Sequence, residues 1–423
     1  MTDSIKISPR PLSGSLDAIP SKSHVHRLLI CAALGEGDVY IPCPVPSEDI
    51  LATARCLGSL GAAIHINESG LRVGAIKSNL QNTALLDCGE SGSTYRFLVP
   101  VAASLGIRAT FHLEGRLPSR PMDELWSVLE GAGAIITGKG SPDVTISGRL
   151  KAGRFRIAGN ISSQFISGLL LALPNLEDES EIVITGELQS AGYVDMTLDA
   201  LREFGVTITK TPTGFIVPGR QRFIAPKKTV NPEGDWSNSA IWLSAGAVSG
   251  NGITMRGLRT DSSQGDRAIA DILRRFGAKV TVDGDTVSVS PSRLKGIVLD
   301  ARDIPDLVPS IALVAAAAEG GTEITNVGRL ALKESDRRQS VCDTLNQLGG
   351  CAEYDDDTMT IRGVGILGGE VDSCGDHRIA MLAVAASAIS RGDITLHRAG
   401  ALAKSYPAFL EHFTLLGGEA KKI

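Results

Sequence analysis

The chain has little that would cross-link it or carry it into a membrane. Its seven cysteines (Cys31, Cys43, Cys56, Cys88, Cys342, Cys351, Cys374) stand singly, form no Cys-x-x-Cys pair and are odd in number. That pattern suggests neither a disulfide framework nor a zinc site, and it fits a reduced, cytoplasmic compartment. Apolar stretches such as Ile311 to Ala318 fall far short of the roughly 20 residues that span a bilayer. Met1 to Arg10 lacks the basic stretch and apolar run of a leader peptide. A basic excess is missing as well: 42 Lys and Arg face 47 Asp and Glu, a net charge of −5. This argues against a nucleic-acid or membrane-surface binder while leaving room for a local basic cleft. Aromatic residues are scarce at 4%, but 43% hydrophobic and 21% charged residues make a globular composition.

What the chain does have is length, glycine and a repeat. At 423 residues it exceeds one ordinary core, so two domains are expected. A hydrophobic helical run, a glycine and an alternating strand-like segment recur at Gly61, Gly133, Gly205, Gly277, Gly349 and Gly417. The intervals are about 72 residues, the last about 68, too long for a solenoid of small repeats. Glycine at these places fits a helix C-cap in the left-handed region. Between them lies a second helix type, apolar nearly all round, as in Phe165 to Leu173, Ile311 to Ala318 and Ile379 to Ile389. Such helices should be buried. The pattern predicts six copies of one α/β unit, three per domain, with a boundary near Val230 to Gly234.

The residues opening the buried helices are informative. They are Ser21-Lys22-Ser23, Ser91-Gly92-Ser93-Thr94, Ser162-Ser163-Gln164, Ser237-Asn238-Ser239, Ile304-Pro305-Asp306 and Asp376-His377-Arg378. Equivalent positions in equivalent units would share one side of each domain. A helix N-terminus offers unpaired N–H groups and partial positive charge to phosphate or carboxylate. Serine there is also a favoured cap, worth about 1 kcal/mol, so capping explains most single serines. A cation opposes the helix dipole, which makes Lys22, Arg27, Arg96 and Arg378 the better ligand candidates. His377 is read as a structural cap more readily than as a base, and Asp49 and Asp235 as caps or domain supports. Two more segments concentrate charge: Lys333-Glu334-Ser335-Asp336-Arg337-Arg338, and the loop Gly115-Arg116-Leu117-Pro118-Ser119-Arg120-Pro121. Taken singly, each reads as a solvated face.

Together, in order and spacing, these segments resemble the 5-enolpyruvylshikimate-3-phosphate synthase family of enolpyruvyl transferases, from Pro20 to Pro407. The resemblance implies an α/β (α+β) fold of two inside-out α/β barrels, each of three βαβαββ units. It implies a discontinuous domain of residues 1–20 plus 231–423, a second domain of 21–230, and an active site in the interdomain cleft. Ser23, Arg27, Ser162, Ser163, Ser190, Tyr193 and Lys333 would hold shikimate 3-phosphate, with Lys22 and Gln164 between the two substrates. Arg120, Arg337, Arg378 and Lys404 would grip phosphoenolpyruvate, aided by backbone N–H groups near Gly92 and Ser93. Asp306 and Glu334 would be the acid–base pair, Asp306 also orienting the acceptor hydroxyl, and Lys22 or Lys404 would serve the departing phosphate. No metal and no cofactor is implied. The expected state is a monomer, with glyphosate as inhibitor.

Three positions depart from the family pattern: Glu90 stands for an asparagine, Phe97 for a proline, and Arg329 for an asparagine often near the shikimate phosphate. Two rival readings remain at this point. The sister enzyme acting on UDP-N-acetylglucosamine usually carries a reactive loop cysteine, and Glu114 to Pro121 has none. A non-catalytic repeat module or nucleic-acid clamp is disfavoured by the acidic balance, and a degenerate anion binder by Asp306, Glu334 and Lys404 standing beside the cations.

Overall fold

The computed structural model describes residues 3–76, 83–225 and 227–423. The chain divides into two compact units. One runs Lys22–Pro232; the other takes the chain up to Ser21 and from Glu233 onward. Each has its own hydrophobic core.

The repeat read from the glycines is present in the backbone. Among the described residues there are twelve α-helices. In the Lys22–Pro232 unit these are α1 (Lys22–Leu34), α2 (Glu48–Ser59), α3 (Gly92–Leu105), α4 (Asp123–Gly131), α5 (Ser163–Ala172) and α6 (Ala191–Glu203). In the other they are α7 (Trp236–Val248), α8 (Ile269–Phe276), α9 (Val308–Ala317), α10 (Arg337–Gln347), α11 (His377–Ala386) and α12 (Phe409–Leu415). The odd-numbered helices are buried nearly all round, as their composition requires. The even-numbered ones are two-faced: α8 buries Ile269, Ile272, Leu273 and Phe276 while Asp271, Arg274 and Arg275 face out. All six repeat glycines have positive φ, from 74° at Gly205 to 105° at Gly277. That geometry costs any other residue a left-handed conformation.

Each repeat builds one small sheet. Thr83–Gly89 runs parallel to Arg108–Leu113, with α3 as the crossover. Asp143–Gly148 and Ala134–Thr137 then add antiparallel. The order β-α-β-α-β-β follows directly. Two sheets of the Glu233–Ile423 unit are completed from the start of the chain. Ile5–Ser8 lies between Ile394–His397 and Glu419–Lys422, and Ser13–Asp17 pairs parallel with Gly252–Arg256.

Candidate active site

In the Lys22–Pro232 unit, polar side-chain contacts tie the helix starts singled out by sequence to their neighbours. The first turn of α1 carries Lys22, whose Nζ donates to Asp49 at the start of α2 (2.8 Å). Asp49 is therefore an ion-pair partner, and Ser47 is the cap of α2. The Asp49 carbonyl accepts from Thr94 Oγ1 (3.3 Å), which links α2 to α3. Between α3 and α5, Gln164 donates Nε2–H to Ser93 Oγ (2.9 Å) and accepts from Arg96 Nη1 (2.7 Å). Arg96 also donates to the Pro121 carbonyl (3.3 Å) and lies over the Phe165 ring. Arg120 comes against the backbone of Gly92: a Cβ placed at 92 would lie 2.8 Å from Arg120 Nη1.

The serines divide as their ambiguity foretold. Ser91 caps α3 and Ser162 caps α5, each accepting a backbone N–H. Ser23 is half-buried, Ser163 is buried, and neither is the cap of its helix. Ser190 stands before α6 in the left-handed region (φ 56°), an uncommon state for serine that surrounding structure must enforce.

Arg27 is the most enclosed of the predicted binding cations in this unit, 2% exposed. It donates to Thr197 Oγ1 (2.7 Å), the Ser23 carbonyl (2.6 Å), Ser167 Oγ (3.3 Å) and the Tyr193 carbonyl (2.9 Å). Its guanidinium also lies over the Phe97 ring at 4.9 Å. Burial pulls its pKa down to about 10. Arg27 thus fixes the starts of α1 and α6, bringing Ser23 and Tyr193 to one place.

The Glu233–Ile423 unit holds the acid–base candidates around one guanidinium. Arg337 opens α10 and is 1% exposed. It donates Nη1–H to Asp306 Oδ1 (2.6 Å), Nη2–H to Glu334 Oε2 (2.6 Å) and Asp376 Oδ1 (3.2 Å), and Nε–H to Asp376 Oδ2 (2.7 Å). Four of its five N–H groups are thereby used on three carboxylates. Lys333 Nζ also reaches Asp306 Oδ1 (3.2 Å), and Arg378 Nε stands 3.7 Å from it. Lys404 Nζ donates to the Gly375 carbonyl (2.7 Å).

Exposure sorts these carboxyls. The Asp306 and Glu334 side chains are 17% and 23% exposed, while Asp376 is sealed at 0%. Only the first two can meet a ligand; Asp376 caps α11 and anchors Arg337. Burial by itself would raise the Asp306 pKa, but Lys333, Arg378 and Arg337 hold it well below the usual carboxylate range. Burial lowers Lys333, with Asp306 opposing. Arg337 is raised: burial works against its charge, and Asp376, Glu334 and Asp306 outweigh it. His377 is buried, with Nδ1 3.8 Å from Asp376 Oδ1.

Sequence reasoning placed Asp376, Asp49 and Ser237 at helix starts but missed their partners Arg337, Lys22 and Arg378. Ser237 accepts from Arg378 Nη2 through its hydroxyl (2.5 Å). The available signal was position: each lies in the first turn, or at the cap, of a helix whose neighbours had been singled out. Of the departures, Glu90 packs against Gly115, and Phe97 lies beneath Arg27 and edge-on to His26. Arg329 contributes positive charge at Lys333.

A family model described as EPSP synthase (3-phosphoshikimate 1-carboxyvinyltransferase) matches residues 7–413. A protein of Clostridium kluyveri named 3-phosphoshikimate 1-carboxyvinyltransferase is 41% identical over 418 residues, covering 98% of this chain and 97% of its own. One of the same name from Clostridium beijerinckii is 42% identical over 426 residues, with the same coverage. A solved EPSP synthase from Acinetobacter baumannii superposes with a TM-score of 0.83 at 26% identity, covering 100% of both chains. The enolpyruvyl transferase NikO from Streptomyces tendae, at 20% identity and TM-score 0.81 over 100% of this chain and 99% of its own, shares the fold.

Proposed function

We propose roles for these side chains from one premise: the chain belongs to the EPSP synthase family and transfers the enolpyruvyl group of phosphoenolpyruvate to the 5-hydroxyl of shikimate 3-phosphate, releasing phosphate. The observation that carries the assignment is the Arg337 cluster, in which two partly open carboxyls share one buried guanidinium. In our reading both units contribute side chains to one bound substrate pair. Ser23, Arg27, Ser162, Ser163, Ser190, Tyr193 and Lys333 hold shikimate 3-phosphate. Arg120, Arg337, Arg378 and Lys404 hold phosphoenolpyruvate with the Gly92–Ser93 backbone, and Lys22 and Gln164 stand between the two.

The acceptor hydroxyl attacks C2 of phosphoenolpyruvate while a proton is delivered to C3; phosphate then leaves as C3 returns its proton. Asp306 orients and deprotonates the hydroxyl, Glu334 moves the C3 proton, and Lys22 or Lys404 meets the departing phosphate. In the unliganded enzyme Asp306 is a poor base, because three cations stabilise its ionised form. An anionic substrate competes for those same cations. As it draws Arg337 and Arg378 to itself, Asp306 loses their stabilisation and gains proton affinity. Substrate binding and activation of the base are then one event, consistent with carboxyls tuned apart by their surroundings.

We also read the enzyme as a cytoplasmic monomer that glyphosate inhibits. Supporting sensitivity, Gly92 leaves the space beside Arg120 that a methyl group would take. The deciding experiment supplies phosphoenolpyruvate with either shikimate 3-phosphate or UDP-N-acetylglucosamine, in chelator, and measures phosphate release. Release only with shikimate 3-phosphate is expected. Release only with the sugar nucleotide would transfer the assignment to the sister reaction.

A further inference from the structure

The start of α7 carries the Ser237-Asn238 pair, which the reaction as described does not use. Ser237 takes two hydrogen bonds from Arg378: Nη2–H to its hydroxyl oxygen (2.5 Å) and Nη1–H to its carbonyl (3.3 Å). An arginine only donates, so the serine hydroxyl must accept there, and its own proton needs another acceptor. The carboxyl that Ser237 stabilises in its ionised form is Asp266. It lies in the short turn Gly265–Ala268 and is 2% exposed. The turn is pinned to α7 by Gln264, which accepts from Trp236 N–H (3.0 Å) and donates to the Gly234 carbonyl (2.8 Å). The next residue reaches the segment that carries another cation: Asn238 Nδ2 donates to Ser405 Oγ (3.2 Å), directly after Lys404.

Charged groups that act on Asp266 include Asp306, Arg378 and Asp235. Burial and the Asp306 charge push its carboxyl up to about 6, against Arg378 and the Ser237 hydrogen bond. Successive hydrogen bonds polarise one another, so a chain from Arg378 through Ser237 to Asp266 orients the guanidinium more firmly than the serine alone would.

We propose that Ser237 and Asp266 are positioning residues for phosphoenolpyruvate, setting the plane in which Arg378 presents its N–H fork to the substrate anion. This rests on the reading that Arg378 grips phosphoenolpyruvate. The fork must match a planar or tetrahedral anion in direction as well as charge, so a misplaced plane weakens binding without touching the acid–base pair.

The test is initial-rate kinetics of the full-length enzyme with both substrates varied, together with thermal unfolding, on Ser237→Ala, Asp266→Ala, Asp266→Asn and Arg378→Lys. Ser237→Ala and Asp266→Ala should raise KM for phosphoenolpyruvate about tenfold, the scale of one lost orienting contact. KM for shikimate 3-phosphate should stay within about twofold. Asp266→Asn should bring the phosphoenolpyruvate KM back to within about threefold of wild type, because an amide oxygen still accepts from Ser237. If Asp266→Ala does not fold, Ser237→Ala and Asp266→Asn decide the matter. The proposal is overturned if Asp266→Asn is as impaired as the alanine variants, if both KM values rise together, or if only the melting temperature moves. A phosphoenolpyruvate KM untouched by Arg378→Lys would instead sink the underlying reading of Arg378. A raised KM there with unchanged Ser237→Ala kinetics would sink the positioning role alone.

Discussion

At the scale of single residues, the protein concentrates its charge chemistry on Arg337. Three carboxylates depend on it, and Asp376 has no access to solvent. Replacing Arg337 by methionine leaves buried negative charge uncompensated, which costs about 3–5 kcal/mol. A melting temperature within 2 °C or so of wild type would contradict that ledger. Asp306→Asn and Glu334→Gln keep the shape and remove the proton-transfer groups. Each should lower kcat by about 10²–10⁴-fold with a smaller change in KM. A variant whose loss falls mainly in KM would be a binding residue and not part of the acid–base pair.

At the scale of elements, the site depends on how closely the buried helices approach one another. α5 passes α3 at Gly168, where an added Cβ would lie 2.5 Å from the Arg96 carbonyl and 2.9 Å from Pro100 Cγ. Gly168→Ala should therefore cost about 1–3 kcal/mol by overpacking. It should also raise KM for phosphoenolpyruvate, since the shift reaches the Arg96–Gln164–Ser93 chain; unaltered kinetics would show that the chain absorbs the strain. A second device ties three helices together: His26 of α1 bonds Thr53 of α2 (2.7 Å), which bonds Thr94 of α3 (2.6 Å). Burial, then Lys22 and Arg27, hold His26 well below 6.5. The unfolded chain thus binds a proton that the folded chain refuses. Stability should fall as the pH drops below about 6.5, by up to about 1.4 kcal/mol per pH unit from this one group. His26→Gln should remove that part of the slope, and denaturant titrations at pH 5 and 7 would register its loss or its persistence.

At the scale of the whole molecule, the Glu233–Ile423 unit is not closed by its own stretch of chain. Ile5–Ser8 is an inner strand of one sheet, and Ser13–Asp17 an edge strand of another. Deleting residues up to Asp17 should leave two sheets incomplete and that unit open to proteolysis, with the Lys22–Pro232 core still protected. Equal digestion of both units, or of neither, would argue that the strands are dispensable. The sequence by itself determined the repeat, because a left-handed glycine after each outer helix and an all-apolar inner helix are local requirements of backbone and burial. It also determined which segments carry charge, since cations at helix starts oppose the dipole and so need a reason. Tertiary structure alone decided the pairings. Arg337 meets Asp376 across 39 residues, Arg378 meets Ser237 across 141, and Arg27 meets Thr197 across 170. No local pattern encodes these contacts, because the partner of a long polar side chain depends on which distant helix packs beside it. The same holds for the serines: Ser91 and Ser162 cap, whereas Ser93 meets Gln164. Each choice was made when the helix neighbours arrived, since only burial obliges a hydroxyl to settle on one partner in place of water.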